Sequence, residues 1–399
     1  MPKGKDQKPH IGIFSRRNVG KSSFINVITG SEVAIVSDVA GTTTDPVKKS
    51  IEIFGIGPAI IVDTAGIDDI GALGEKRIRK TMELVKIVDC AVLLIAENNF
   101  GEYEINLIRM FNEYEIPFLI IHNKKDIQTL QKSTLKEIDF ICKADVLDFS
   151  SVENENMDAV VGLLKLTIPQ TSYQNIALFD GLINDKDIVI LVTPIDSEAP
   201  DGRMILPQVM AIRDVLDHNC INVVLKETEL EDFLKTKIKP RIVITDSQAF
   251  AKIDKIVPKE IPLTGFSILF ARLRGNFEAY LAGTPKISHL KEGDKILILE
   301  SCTHHVSCDD IGRHKIPNWL SKFTGKNLEF EFISGFGNLK NNIKEYALVI
   351  QCGGCVFTKK QVLNRLKPAI DAGIPVTNYG MMIAFTQGIY ERTLASFST

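Results

Sequence analysis

Short apolar runs alternate with amphipathic stretches over the first 170 positions, which predicts strands separated by helices. Gly55, Gly57 and Pro58 lie between two of these runs and predict a hairpin turn. Strands separated by helices form a largely parallel sheet that is covered on both faces. We therefore predict an α/β domain with a mixed, mostly parallel sheet. Its predicted strands are residues 11–14, 50–54, 59–63, 88–96, 117–122 and 145–149, and its first helix is residues 21–29.

The same alternation continues after a polar linker at residues 169–175. It predicts a small α/β middle domain over residues 175–263 and a C-terminal α/β domain over residues 264–399, after a first domain of residues 1–170. The middle domain has three predicted strands, at residues 188–192, 221–225 and 241–245. The C-terminal domain has predicted strands at residues 295–299, 328–333 and 346–350 and a helix at residues 359–372.

Composition narrows the class of protein. The 399 residues suffice for about two to three domains, and a net charge of −3 gives no general attraction to nucleic acid or anionic lipid. The apolar run at residues 88–96 is far shorter than the roughly 20 residues that span a bilayer, and no signal-peptide core follows the basic start. Seven cysteines do not suggest a secreted disulfide framework. We expect a cytoplasmic protein.

Residues 15–22, Ser-Arg-Arg-Asn-Val-Gly-Lys-Ser, connect the first strand to the first helix and are here called the phosphate loop. Inward-pointing backbone N–H groups and the helix N-terminus favour a polyphosphate at such a loop. Lys21 would bind the β- and γ-phosphates, and the Ser22 hydroxyl would bind Mg²⁺. Ser15 stands where such loops carry their first glycine. If that position needs a positive φ, serine costs on the order of 1 kcal/mol.

Three further segments follow in the order that a guanine-nucleotide site requires. Residues 41–45 contain Thr43, the expected Mg²⁺ ligand of a mobile switch. Residues 63–66, Asp-Thr-Ala-Gly, place a carboxylate near the metal and a glycine N–H near the γ-phosphate. Residues 123–126, Asn-Lys-Lys-Asp, end in Asp126, whose carboxylate can accept two N–H bonds from guanine and none from adenine. Such a bidentate pair discriminates by about 1–3 kcal/mol.

Residues 9–168 resemble the TrmE–Era branch of P-loop GTPases, and the resemblance implies further roles. Asn18 matches an asparagine that helps to bind a potassium ion, and Ser150 and Ser151 match the last guanine-contacting loop. Ile67 stands where Ras-like enzymes have a catalytic glutamine. Glu75 matches a glutamate proposed to act through water, although a solvated carboxylate is the alternative. The implied catalytic residues are Lys21, Thr43 and Glu75. The implied nucleotide-binding residues are Arg17, Asn18, Val19, Gly20, Lys21, Ser22, Ser23, Asp63, Gly66, Asn123, Lys124, Asp126, Ser150 and Ser151.

Cysteines follow two predicted strands of the C-terminal domain. Cys302 and His304 come after the first strand, and Cys352 and Cys355 enclose two glycines after another. Thiolates are soft ligands that suit zinc or an iron–sulfur cluster. Unrelated buried cysteines, or a redox disulfide between Cys352 and Cys355, are the alternatives. The remaining cysteines are predicted to be core or incidental residues, with Cys308 a less favoured spare ligand; the core group is Cys90, Cys142 and Cys220.

The whole chain is similar to the HydF family, the GTPases of FeFe-hydrogenase maturation. The similarity adds the segments at residues 193–208 and 376–380 to the GTPase and cysteine motifs. It implies a homodimer with a 4Fe-4S cluster on Cys302, Cys352 and Cys355 that assembles or delivers a diiron subcluster. FeFe-hydrogenase apoprotein and radical-SAM maturases would be its partners. Gln351 replaces the histidine of the family motif HCxxC, so the fourth ligand stays open among His304, His305, Asp309 and an exogenous group.

Two other classes of function remain possible on the residues alone. One is a ribosome- or RNA-associated GTPase with a C-terminal zinc module, which the net charge of −3 does not favour. The other is a zinc-binding interaction protein whose GTPase has decayed. Colour separates them from the cluster protein, because an iron–sulfur protein is brown and a zinc protein is colourless.

Overall fold

The structure is a computed structural model, and it describes residues 8–30, 34–37, 48–53, 57–63, 83–153, 156–169, 177–194, 204–301, 311–337 and 341–397. The chain divides into two compact units, residues 1–175 and 176–399. In the part of the chain that is described, no helix is both long and apolar enough to cross a membrane.

The first unit is built on a seven-stranded mixed sheet with the order β2-β3-β4-β1-β5-β6-β7. Its strands are β1 (His10–Ser15), β2 (Ala34–Ser37), β3 (Lys48–Ile53), β4 (Gly57–Asp63), β5 (Cys90–Ala96), β6 (Phe118–Asn123) and β7 (Val146–Asp148). The pairs β2–β3 and β3–β4 are antiparallel and all others are parallel. The predicted hairpin and the mixed, mostly parallel sheet are therefore confirmed, and β2 is an addition.

Helices cover this sheet, and its centre is apolar because strands covered on both faces have no side in water. They are α1 (Lys21–Gly30), α2 (Glu102–Glu113), α3 (Lys132–Ile141) and α4 (Met157–Thr167). Every residue of β5 is buried. Phe24 of α1 meets Phe149 edge to face, with ring centroids 5.8 Å apart, so the helix after the phosphate loop packs beside the end of β7.

The second unit begins with a four-stranded parallel sheet in the order β11-β10-β8-β9. Its strands are β8 (Ile188–Val192), β9 (Ile221–Leu225), β10 (Ile242–Thr245) and β11 (Leu263–Gly265), with helices α5 (Leu206–Asp217), α6 (Leu230–Leu234) and α7 (Phe250–Ile256). The sequence predicted three strands. The fourth, β11, runs two residues past the predicted domain boundary at 263, because its backbone pairs with β10 in register from Val243 to Thr245.

A third sheet, also parallel, has the order β13-β12-β14-β15. Its strands are β12 (Lys295–Glu300), β13 (Glu329–Ser334), β14 (Tyr346–Gln351) and β15 (Val376–Asn378). The helices are α8 (Phe266–Arg274), α9 (Phe277–Gly283), α10 (Ile316–Thr324), α11 (Lys359–Asp371), α12 (Tyr379–Thr386) and α13 (Tyr390–Leu394). The carboxyl ends of β12 and β14 therefore share one edge, and the cysteine motifs follow these ends.

Candidate functional site

The phosphate loop leaves β1 and enters α1 through two residues with left-handed backbone, Asn18 (φ 61°) and Gly20 (φ 90°). Asparagine tolerates this conformation better than most residues. A Cβ at Gly20 would lie 2.5 Å from Asn123 Nδ2, so both the backbone and the space require glycine there. The amide of Phe24 then donates to the Gly20 carbonyl at 2.9 Å, which begins the helix.

Lys21 is the first residue of α1, and its ammonium faces the end of β4. Its Nζ lies 2.6 Å from Asp63 Oδ1, and both side chains are mostly shielded from solvent. Ser22 and Ser23, the next residues of the helix, are exposed. The parallel pairing of β1 with β4 brings these groups together, so the cation predicted to bind phosphate and the carboxylate predicted near the metal share one edge of the sheet.

The base-recognition residues also converge, although they come from two separate loops. Asn123 Nδ2 donates to the Val19 carbonyl at 2.9 Å, and Asn123 Oδ1 accepts from Ser151 N at 3.1 Å and Ser151 Oγ at 2.9 Å. Ser150 Oγ donates to Asp126 Oδ1 at 2.5 Å. A buried amide thus ties the base-recognition motif to the phosphate loop, and a hydroxyl orients the carboxylate.

Ser15 carries no backbone strain, contrary to the expectation from the missing glycine. It is the last residue of β1, pairs with Leu94 of β5, and is not in the left-handed region. Its side chain is buried and its Oγ donates to the Arg16 carbonyl at 2.9 Å. Because φ > 0 is not required at this position, the cost of about 1 kcal/mol does not arise.

An ion pair between the phosphate loop and α2 was not predicted from the sequence. Arg16 binds Glu104 of α2 through two bonds of 2.7 Å, and Glu104 Oε2 also accepts from Gly101 N at 2.9 Å. Tyr103 donates to the Ser15 carbonyl at 3.1 Å. The partners lie 88 residues apart, and no local pattern signals such a contact.

Several predicted site residues lie outside the described residues. These are Thr43, Gly66, Ile67, Glu75, Cys302, His304, His305, Cys308 and Asp309. Arg17 and Asn18 are exposed on the phosphate loop. Lys124 has a left-handed backbone (φ 61°) and pairs with Glu97 at 2.9 Å.

Cys352 and Cys355 stand in a loop, here called the cysteine loop (residues 352–358), between β14 and α11. Cys352 is half-buried, and its sulfur accepts from Ser301 N at 3.1 Å. The Cys352 thiol in turn donates to the Ser301 hydroxyl oxygen at 3.0 Å. Cysteines bind metals as thiolates, which are soft ligands. The two cysteines therefore fit a soft metal centre.

Arg274, the last residue of α8, is buried beneath the cysteine loop. Its Nη1 donates to the carbonyls of Gly354, Cys355 and Phe357 at 2.9, 2.5 and 2.8 Å. One guanidinium thereby binds three carbonyls of the loop backbone. This contact spans about 80 positions, and the sequence does not predict it.

The remaining cysteines of the described segments are in environments that disfavour thiolates. Burial raises the pKa of Cys90, which is fully shielded in the first core, and nearby Asp89 raises it further. Burial also raises the pKa values of Cys142 and Cys220. No group of three or more His, Cys, Asp or Glu side chains within the described ranges is arranged to hold a metal ion.

Three family models match the chain. The hydrogen maturase F dimerization domain matches residues 178–275, and the hydrogen maturase F tetramerization domain matches residues 278–396. A model described as a 50S ribosome-binding GTPase matches residues 10–124. The first unit is therefore a GTPase domain, and the two models with one family name together cover more than half of the chain.

Curated relatives match the GTPase domain. The tRNA modification GTPase MnmE of Chromobacterium violaceum is 44% identical over 87 residues, which is 22% of this chain and 19% of that protein. GTPase Der of Wolinella succinogenes is 43% identical over 88 residues, 21% of this chain and 18% of that protein. MnmE of Lactobacillus delbrueckii is 31% identical over 183 residues, 45% and 36% of the two chains. The chain thus spans about a fifth to a third of the length of these relatives.

Solved structures of GTPases are also similar to this chain. Era of Aquifex aeolicus bound to GDP and AlF4− has a TM-score of 0.33 and 17% identity, over 54% of this chain and 92% of that one. The G domain of the T. maritima FeoB iron transporter has a TM-score of 0.31 and 18% identity, over 41% of this chain and 99% of that one.

Proposed function

Because the chain belongs to the hydrogen maturase F family, we propose that it is a GTP-hydrolysing scaffold that holds a 4Fe-4S cluster and assembles or delivers the diiron subcluster of FeFe-hydrogenase. Its partners on this proposal are the hydrogenase apoprotein and companion radical-SAM maturases. The observation that carries the proposal is the order of domains, a GTPase followed by the two hydrogen maturase F domains. An RNA-associated GTPase with a zinc module is not favoured, because the residues after 178 match this family.

The nucleotide site supports GTP and Mg²⁺ as ligands of the first unit. Lys21 would exchange its contact with Asp63 for the β- and γ-phosphates, which leaves the Asp63 carboxylate available to the metal. Ser22, exposed at the helix start, and Thr43 would supply the metal-binding hydroxyls. Asp126 would accept from the guanine edge, with its orientation held by Ser150.

We expect GTP hydrolysis to be faster in potassium than in sodium, by about tenfold or more. No glutamine follows Gly66, so transition-state charge must be stabilised by another group, and the proposed group is a potassium ion beside Asn18. The left-handed backbone of Asn18 places this exposed residue at the tip of the phosphate loop. The measurement is the single-turnover rate with each salt at equal ionic strength. Equal rates would contradict the role of Asn18, and Glu75→Gln tests the proposed water-positioning carboxylate in the same assay.

The cluster is tested by anaerobic reconstitution of the full chain with iron and sulfide. We expect a brown protein with about four iron atoms per chain and broad visible absorption. Zinc has a filled d shell and gives no such colour. A colourless protein that retains zinc would contradict the scaffold proposal and support the zinc-module alternative.

The exposed edge of the second sheet supports dimerization through β9. Within the described residues β9 pairs only with β8, and Ile221 and Val224 on it are 53% and 41% exposed. Unpaired N–H and C=O groups on an apolar edge strand are a template for a second chain. We propose that a second copy of this chain adds its own β9 there.

Lysine at both Ile221 and Val224 should weaken the dimer at least about tenfold, ~1.4 kcal/mol, because charged side chains on an edge strand oppose its pairing with a second chain that carries the same charges. Ile238→Lys is the matched control, since Ile238 is 43% exposed but lies outside β9. Sedimentation equilibrium measures both. Equal dissociation constants for the double variant and the control would exclude β9 as the interface.

A further inference from the structure

Gln351, the last residue of β14, directs its side-chain amide at the first sulfur of the cysteine loop. The Gln351 Nε2 atom lies 3.4 Å from Cys352 Sγ, 3.1 Å from Ser301 Oγ and 3.2 Å from the Cys352 carbonyl oxygen, so its two N–H groups are shared among three acceptors. Together with Ser301 N, the Cys352 sulfur therefore has donors from two neighbouring strand ends. The Gln351 side chain is 1% exposed, so this amide cannot exchange these partners for bulk water.

The orientation of the amide follows from a cation on its other side. Arg365 Nη1 donates to Gln351 Oε1 at 3.4 Å, and Arg365 Nη2 donates to the Ile333 carbonyl at 3.0 Å. A guanidinium has only donors, so the amide atom that faces it must be the oxygen. The NH2 group is then left to face the sulfur. Arg365 also lies over the Phe357 ring, 5.3 Å from its centroid, which fixes the cation in place.

This geometry does not suit Gln351 as a metal ligand. An amide nitrogen has no free lone pair, and the amide oxygen, which could bind iron, points at Arg365. We propose that Gln351 is a positioning residue that donates a hydrogen bond to the Cys352 thiolate and thereby raises the reduction potential of the bound cluster. The inference rests on the proposed function, since it concerns the cluster assigned there.

The physical reason is the charge that reduction adds. An electron that enters the cluster increases the negative charge on its thiolate sulfurs, and hydrogen bonds to an anionic acceptor are about twice as strong as neutral ones. A donor to Cys352 Sγ therefore stabilises the reduced state more than the oxidised state, which is one of the means by which proteins set cluster potentials. Ser301 N supplies the same effect from the backbone, where no substitution other than proline removes it.

The test is Gln351→Leu in the full chain, reconstituted anaerobically and titrated with dithionite while the cluster EPR signal is recorded. We expect iron content equal to that of the parent chain and a tenfold smaller equilibrium constant for reduction of the cluster. For a one-electron couple this corresponds to a reduction potential that is 59 mV lower. Gln351→Glu keeps an oxygen for Arg365 and replaces the donor by an acceptor, so its potential should fall further. Gln208→Leu is the matched control, because Gln208 is also a buried glutamine and its side chain bonds Ile205 N and Asp246 Oδ2.

Loss of most iron in both Gln351 variants, with an unchanged thermal transition, would mean that Gln351 is a ligand and would overturn the inference. Unchanged potentials and EPR spectra in both variants would overturn it as well, while the cluster itself stood. A parent chain that takes up no iron would instead refute the proposed function, and the inference with it. If Gln351→Leu alone fails to fold, the Gln351→Glu titration decides the question.

Discussion

Replacing Asp126 by asparagine is expected to move the nucleotide preference of the chain from guanine to xanthine. The Ser150 hydroxyl donates to Asp126 Oδ1 at 2.5 Å, and in the variant it needs the single amide oxygen as its acceptor. The asparagine NH2 group is then turned toward the base, where it meets the N–H donors of guanine but can donate to the additional carbonyl of xanthine. Affinity for GTP should fall about 10- to 100-fold, since a lost bidentate pair costs about 1–3 kcal/mol, and affinity for XTP should rise.

Equilibrium titration with fluorescent GTP, XTP and ATP analogues measures this change. The matched control is Asp139→Asn, because Asp139 is exposed on α3 and contacts no residue of the base-recognition motif named above. The parent chain should bind GTP far better than ATP. Equal affinities of the parent for GTP and ATP, or an Asp126→Asn variant that retains its GTP preference, would contradict the guanine site.

Serine at any one of Cys302, Cys352 and Cys355 should remove most of the iron from the reconstituted chain. A neutral hydroxyl is a poor substitute for a thiolate, and three thiolates leave one iron of the cluster with an exchangeable ligand. That iron should therefore accept added imidazole or cyanide, and we propose it as the place where the diiron precursor docks.

The same change at Cys90, Cys142 or Cys220 should leave the iron content intact. Burial raises the pKa of each of these thiols, which disfavours the thiolate form that binds metals. Cys90→Ser also places a hydroxyl in the core and should lower the melting temperature. Iron per folded chain, measured across all six variants, gives the comparison. A loss spread evenly over both groups would refute the cluster assignment.

The pattern of apolar runs and polar turns predicted several strands of the fold correctly. The strands β8 and β9 begin and end at the predicted residues, because apolar runs between polar turns are sufficient to define parallel strands. The predicted nucleotide-site residues Lys21, Asp63 and Asn123 lie close together because their parallel strands end at one edge of the first sheet. Asp63 and Asn123 are the last residues of β4 and β6, and Lys21 begins the helix that follows β1.

Long-range contacts could not be predicted in this way. The bonds from Arg16 to Glu104 and from Arg274 to the cysteine loop join residues 80 or more positions apart, and a single arginine in a sequence carries no signal of its acceptor. The short strand β11 was missed because its three residues, Leu263–Gly265, have no alternation to recognise and depend on pairing with β10. Ser15 shows the converse, a departure from the motif at a position where the backbone does not need a positive φ.

The contact between Arg274 and the cysteine loop limits which fragments of this chain keep the loop in its folded shape. The guanidinium belongs to the stretch that matches the dimerization model, which ends at residue 275, whereas the three carbonyls that it binds belong to the stretch that matches the tetramerization model, which starts at residue 278. A fragment that starts at residue 278 would keep both loop cysteines and leave behind the side chain that shapes the backbone between them. A fragment suited to metal-binding studies must therefore begin before α8. The two matched stretches share the contacts that shape the cysteine loop, so they should be expressed together.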